Sequence, residues 1–447
     1  MRISKAIGGA WLSVIAAAVG GLAQPAAAEV DDAAILAAIE ADRADTVALA
    51  DALWDLAELG YQETESAALL KARLAAAGFA IEDGVAGIPT AFVARYRRGG
   101  GGGGVVGLLA EYDALPGLSQ DRTPERRPIP GRRSAHACGH NLFGAGSVTA
   151  ALAVKAWMDA AGVDGEIRLY GTPAEEGGSG KVYMARAGLF DDVDAVLHWH
   201  PDDVNSASPT RNLANRSARF VFTGVAAHAA GAPDRGRSAL DGVEAMNFMT
   251  NLMREHMPQE ARIHYVITRG GAAPNVVPAE AEAYYYVRHP DVAGLEALWS
   301  RVETAARAAA MGTGTEVAVE VMHGNHPLLP NDTLQRRLYA HMLDVGGVEY
   351  SAEERDFAAT VVTSFAVEDA APGQAVWLGE AAQISAYRPR RTYGSTDVGD
   401  VSWAAPTSAC APRPGFREPR RTAGRPPPQA APRSGSKAWR SPPRRWR

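Results

Sequence analysis

The 447-residue chain carries 45 lysines and arginines against 51 aspartates and glutamates, a formal charge of −6, and only two cysteines. The balance is uneven: residues 29 to 410 hold 32 basic and 50 acidic residues (−18), whereas residues 411 to 447 hold eleven basic residues and one acid, Glu418. The acidic body argues against a nucleic-acid binder. Two cysteines exclude a disulfide framework, and a chain of this length predicts two domains.

The amino terminus sets Arg2 and Lys5 before a small, apolar stretch to Leu22, then Ala26-Ala27-Ala28 and the acidic start at Glu29. Charge, apolar run and small-residue exit predict a signal peptide over residues 1–28 and export to a periplasm; an ordinary apolar first helix is the alternative. No later run has the roughly 18 apolar residues that span a bilayer. Helical spacing follows from Asp31 to Leu59 (Ile35, Leu36, Ile39, Val47, Leu49, Leu53, Leu56), then from Thr64 to Ala77. "TAFVARYRR" and "VVGLLAEYDALP" read as strands joined as a hairpin by Gly99–Gly104, which lacks the Gly-Lys-Ser/Thr of a phosphate loop.

A helix at 142–161, a strand ("EIRLYGTP"), a short helix at 180–187 and a strand ("DAVLHWHP") predict an α/β domain with a mainly parallel sheet. Between 217 and 323 the order becomes strand, helix, strand, strand, helix, strand, the split pattern of a ferredoxin-like α+β unit. "TVVTSFAVEDA" and "YGSTDVGDVSW" resume the first idiom, so residues 29–216 and 324–405 are expected to form one domain, with 217–323 inserted. Residues 406–447 are rich in Arg, Pro, Gly, Ala and Ser without periodicity. They read as a disordered basic arm or, preferentially, as GC-rich DNA translated out of frame.

Chemistry concentrates in "AHACGHN". His136, Cys138 and His140 fall within five positions, and thiolate and imidazole are good ligands for zinc and similar ions. "GTPAEEGGSG" places Glu175 and Glu176 just after a strand, where ligands collect at the carboxyl ends of a parallel sheet. One of two adjacent carboxylates on a turn can bind metal while the other acts on water. "VLHWHP" puts His198 and His200 on one strand face, and Asp113 ends the strand before the cysteine cluster, placed to orient a ligand.

Taken in order, "AEYDALP", "HACGHN", "GTPAEEGGSGK", "DAVLHWHP", "GVAAHAAGAPDRGRSALDGV", "GGAAPNVVPAEAEAYYYVR" and "YGSTDVGDVSW" cover about residues 30 to 405. Together they resemble the di-metal amidohydrolases of the aminoacylase and carboxypeptidase type, in the p-aminobenzoyl-glutamate hydrolase branch. The resemblance implies two divalent ions, Zn or Mn, on Cys138, His140, Glu176 and His200. It implies Glu175 as the general base toward metal-activated water, with Asp113 and His136 supporting the ligands. It also implies a lid and dimerisation role for the inserted unit, with His228 reaching a substrate carbonyl, often in the partner's site, and Asn275 and Arg288 gripping substrate oxygens. Family members carry one further histidine ligand after the "STDVGDVSW" segment, whereas no histidine follows His341 here.

The expectation is therefore a metal-dependent amidase cleaving N-acyl or N-aroyl amino acids, as a homodimer or beside a homologous subunit. A dipeptidase or carboxypeptidase, and a silent metal-binding homologue lacking its last ligand, are the alternatives.

Overall fold

A computed structural model describes residues 32–100, 102–202, 204–363 and 382–411; the expected signal peptide, most of the basic tail and most of the "TVVTSFAVEDA" segment lie outside them. Helices α1 (Asp32–Ala41), α2 (Arg43–Leu56) and α3 (Thr64–Ala76) lead into strands β1 (Ala80–Asp83), β2 (Phe92–Arg98) and β3 (Val105–Ala110). After the short β4 (Leu115–Pro116) and β5 (Ser134–Ala135) come α4 (His140–Ala161), β6 (Gly165–Gly171), α5 (Gly180–Arg186), β7 (Ala195–Trp199) and the short β8 (Thr210–Arg211). The next unit is β9 (Ala214–Thr223), α6 (Ala239–Met253), β10 (Arg262–Arg269), β11 (Glu280–His289), α7 (Val292–Thr313) and β12 (Glu316–Asn325). The described chain closes with α8 (Asp332–Val345), α9 (Ala352–Thr363), β13 (Arg390–Arg391), α10 (Val398–Ala404) and β14 (Thr407–Cys410).

Two sheets organise these elements. The larger has the order β1-β2-β6-β3-β7-β14; β3 runs parallel to both β6 and β7, and β14 is parallel to β7. Its parallel half therefore directs the ends of β3, β6 and β7 to one edge. The second sheet is antiparallel in the order β10-β11-β9-β12, as a β-α-β-β-α-β unit closes, and carries its own core of Phe220, Phe222, Val243, Met246, Tyr285, Trp299 and Val302.

Three expectations change. β2 and β3 do not form a hairpin: β6 lies between them, antiparallel to β2 and parallel to β3. The glycine-rich connection instead crosses the start of β6, where a Cβ at Gly103 would come 2.1 Å from the Asp164 carbonyl oxygen. The apolar stripe of the first two helices is only partly core, with Leu53 fully buried while Leu36, Ile39, Val47 and Leu56 are exposed. The composition of the tail also misleads at its start: Thr407–Cys410 is the edge strand of the large sheet, and Ala411 exchanges backbone hydrogen bonds with Ser206. No described helix is long and apolar enough to cross a membrane.

Candidate metal centre

The sheet brings the motifs to one place. Glu111 and Asp113 follow β3, Glu175 and Glu176 follow β6, His200 follows β7, and Cys138 and His140 stand at the start of α4. This is the carboxyl edge of three parallel strands, where side chains from separate loops converge. Glycines let α4 sit close to that edge. Gly139 caps it in the left-handed region (φ 73°), and a Cβ there would come 2.9 Å from Pro201; one at Gly144 would come 3.0 Å from the Glu111 carbonyl oxygen.

Ligand atoms of Cys138, His140 and His200 all lie within 4.8 Å of one another, and so do those of Glu111, His140 and Glu175, so two overlapping groups share His140. Glu176 joins the first group through a hydrogen bond with the Cys138 side chain. Asp113 supports both: its Oδ1 is 2.9 Å from His140 Nδ1, and its Oδ2 accepts the Glu176 backbone N–H at 2.9 Å. His136 is buried beneath, its Nε2 3.0 Å from the Leu53 carbonyl, and burial pushes its pKa down to about 4, so the ring is neutral.

The residues fit a divalent cation. Glu111 Oε2 and His140 Nε2 face each other at 3.1 Å, both buried, and neither forms a hydrogen bond among the described residues; Glu176 Oε1 is a third such atom. Leaving buried polar atoms unpaired is costly, and a thiol, imidazoles and carboxylates form a donor set suited to zinc and its neighbours. Charge points the same way. Burial and then the neighbouring Glu111 and Glu176 carboxylates push the Glu175 pKa well up, and burial likewise raises Glu176.

Sequence reasoning misses several participants. Glu111 lies two positions before Asp113, a spacing that puts both on one face of an extended segment, and that spacing is the signal that could find it. Lys181, fully buried, sits 2.7 Å from Glu111 Oε1 and 2.8 Å from Asp397 Oδ1. Burial alone would raise the Glu111 pKa, but Lys181 foremost, with His140, holds it down to about 2. His198, which the sequence already sets on one face with His200, has its Nε2 4.0 Å from Glu111 Oε1 and its ring 5.1 Å from that of Phe143.

The remaining predicted residues divide. Arg288 on β11 is inside: its guanidinium donates to Ser395 Oγ and lies over the Tyr286 ring, its Nε is buried without a hydrogen bond, and Glu175 acts on it electrostatically. His228 and Asn275 are instead together on an exposed tip of the second sheet's loops, where Ala229 N donates to Asn275 O and the His228 ring accepts from Gly231 N. The structure thus does not gather them with the buried cluster of their own chain.

Comparison with known proteins agrees with this geometry. Residues 107–392 match the model of peptidase family M20/M25/M40. The chain is 41% identical to a p-aminobenzoyl-glutamate hydrolase component of Escherichia coli over 394 residues, 83% of this chain and 81% of that one. It is 34% identical to mouse Xaa-Arg dipeptidase, covering 64% of this chain and 65% of the other. Among solved structures, the aminobenzoyl-glutamate utilization protein of Klebsiella pneumoniae (TM-score 0.58, 20% identity, 84% and 93% covered) shares the fold. So does a dinuclear metal-binding M20 peptidase of Bacillus subtilis (TM-score 0.53, 18% identity, 84% and 90% covered). The chain belongs to peptidase family M20/M25/M40 and is a metal-dependent amidohydrolase.

Proposed function

We propose that this chain hydrolyses the linear amide of N-acyl and N-aroyl amino acids of the p-aminobenzoyl-glutamate kind. The carrying observation is the pair of ligand groups sharing His140, with Glu175 in one and Cys138 and His200 in the other, in a chain 41% identical to a component of a hydrolase of that name. Cys138, His140, Glu176 and His200 would hold two divalent ions, zinc or manganese, with Glu111 beside them. Bound ions of this kind polarise an amide carbonyl and make water a better nucleophile.

The protein's own groups supply the rest. Glu175, whose environment favours a bound proton, takes one from water and passes it to the departing amine nitrogen. Arg288, with an unsatisfied Nε and within electrostatic reach of Glu175, binds the carboxylate of the amino-acid half of the substrate. His228 and Asn275 act on a site completed by a partner, either a second copy of this chain or a homologue; their exposure supports that reading. The order of charge, apolar run and small residues at 1–28 supports export to a periplasm, which cell fractionation tests.

The experiment is hydrolysis of p-aminobenzoyl-glutamate with manganese or zinc, for the unaltered chain and Glu175→Gln. Expected is turnover that falls by about 10²-fold or more in the variant while the metal is retained. Preference for Xaa-Arg dipeptides would select the dipeptidase reading, which the 34% identity to the mouse enzyme favours. Metal binding without any hydrolysis would select the silent homologue, in keeping with the absence of a histidine after His341.

A further inference from the structure

Between α2 and α3, residues 58–63 (ELGYQE) run beside the turn that carries Glu175 and Glu176. The segment is fixed to the residue after Asp113, since Ala114 N donates to Glu58 O at 2.8 Å and Leu59 bridges Ala114. From it, two side chains reach the turn. Fully buried Glu63 accepts the Ala174 N–H at Oε1 (2.8 Å) and the Thr90 hydroxyl at Oε2 (3.1 Å). The Tyr61 hydroxyl donates to the Gly178 carbonyl at 2.6 Å.

The contact is also steric. A Cβ at Gly60 would stand 3.0 Å from Ala174, and one at Gly178 would stand 2.4 Å from the Tyr61 ring. The turn held this way is strained at both ends: Ala174 (φ 59°) and Ser179 (φ 55°) occupy the left-handed region without being glycine, as does Tyr61 itself (φ 65°). Such backbone persists only where surrounding contacts over-determine it.

We propose that Glu63 and Tyr61 are positioning residues of the metal centre, a clamp that holds the 174–179 turn at its left-handed entry and exit and so sets where Glu175 and Glu176 stand. The inference rests on the roles given above to those two carboxylates. Ala174 requires an acceptor oxygen at this point, which a glutamine supplies equally; Gly178 requires the phenolic donor.

The test compares the full chain with Glu63→Ala, Glu63→Gln and Tyr61→Phe. Co2+ affinity is measured by competition with a chromophoric chelator, the Co2+–thiolate absorption is recorded, thermal unfolding checks the fold, and p-aminobenzoyl-glutamate hydrolysis is followed in parallel. Expected is Co2+ binding weaker by about tenfold or more in Glu63→Ala with an altered thiolate band, as for lost ligand-supporting groups. Tyr61→Phe should bind Co2+ several-fold more weakly at unchanged melting temperature, and Glu63→Gln should recover unaltered binding. Should Glu63→Ala fail to fold, Tyr61→Phe decides, because it removes one hydroxyl from a half-exposed side chain. Unchanged Co2+ affinity and absorption in Tyr61→Phe, or a Glu63→Gln variant as impaired as a folded Glu63→Ala, would overturn the clamp. Absence of hydrolysis by the unaltered chain with the Co2+ pattern intact would instead overturn the proposed activity and leave the clamp standing.

Discussion

Asp113 and His140 are joined at 2.9 Å, Oδ1 to Nδ1, and the other oxygen of the same carboxylate accepts the Glu176 backbone N–H at 2.9 Å. One side chain therefore orients the imidazole of one candidate ligand and the backbone of another, and turns His140 Nε2 toward Glu111 Oε2 at 3.1 Å. Asp113→Asn can offer only one acceptor oxygen, so one of these supports must go. Metal affinity is expected to fall by about 10–100-fold, measured by chelator competition, with the fold intact by circular dichroism; unchanged affinity would show that neither support matters.

Lys181 is the buried counter-charge of two carboxylates, 2.7 Å from Glu111 and 2.8 Å from Asp397, with all three side chains essentially inaccessible. Removing one partner of a buried ion pair strands the others, at a cost of about 3–5 kcal/mol. Lys181→Met should therefore lower the melting temperature markedly. Without the ammonium, burial raises the pKa values of both acids, so the folded variant gains protons and suffers less at pH 5 than at pH 8. Thermal unfolding at both pH values checks this, and an equal loss at each would refute the charge account.

How far the centre can be read from the chain depends on whether its parts are local. Cys138, His140, Glu175, Glu176, His200 and Asp113 each stand at the end of an apolar strand-like run or in the tight HACGH cluster, so alternation and composition expose them. Glu111 ends the same run as Asp113, and only its spacing of two from that residue marks it as a second acid on the same face. Lys181 and Asp397 each lie within a motif, GTPAEEGGSGK and YGSTDVGDVSW, but stand 216 positions apart with nothing local to pair them; only the fold joins them. The false hairpin has the same origin, because the strand that separates β2 from β3 lies more than fifty residues downstream. Neither spacing nor composition pairs His228 with Asn275, and only the folded loops place them on one exposed tip.

Arg288 is half-buried, within electrostatic reach of Glu175, and has an unsatisfied Nε, while its other end is tied to Ser395. A charge-assisted hydrogen bond to a substrate carboxylate contributes about 1.5–3 kcal/mol, roughly 10- to 100-fold in binding. Arg288→Ala should raise KM by about that factor for an aroyl-glutamate and leave the rate on the corresponding aroyl amide lacking the α-carboxylate unaffected. Steady-state kinetics on the two substrates, combined as a double-mutant cycle, isolate the interaction; parallel losses on both would assign Arg288 a structural role.

Glu63 links stability to pH in a direction that can be worked out. Burial, and then the Asp113 charge, push its pKa up to about 7 against an ordinary value of 4.5. The folded state thus holds this proton more tightly than the unfolded chain, so the contribution is fully present below pH 4.5 and is lost as pH rises through about 7. A shift of this size corresponds to about 3 kcal/mol of unfolding free energy. Glu63→Gln keeps an acceptor for Ala174 N but does not titrate. Denaturant unfolding in the presence of a chelator, between pH 5 and pH 8, should show a decline for the unaltered chain that is flattened in the variant. Parallel pH profiles would mean that Glu63 carries the same charge in the folded and unfolded states.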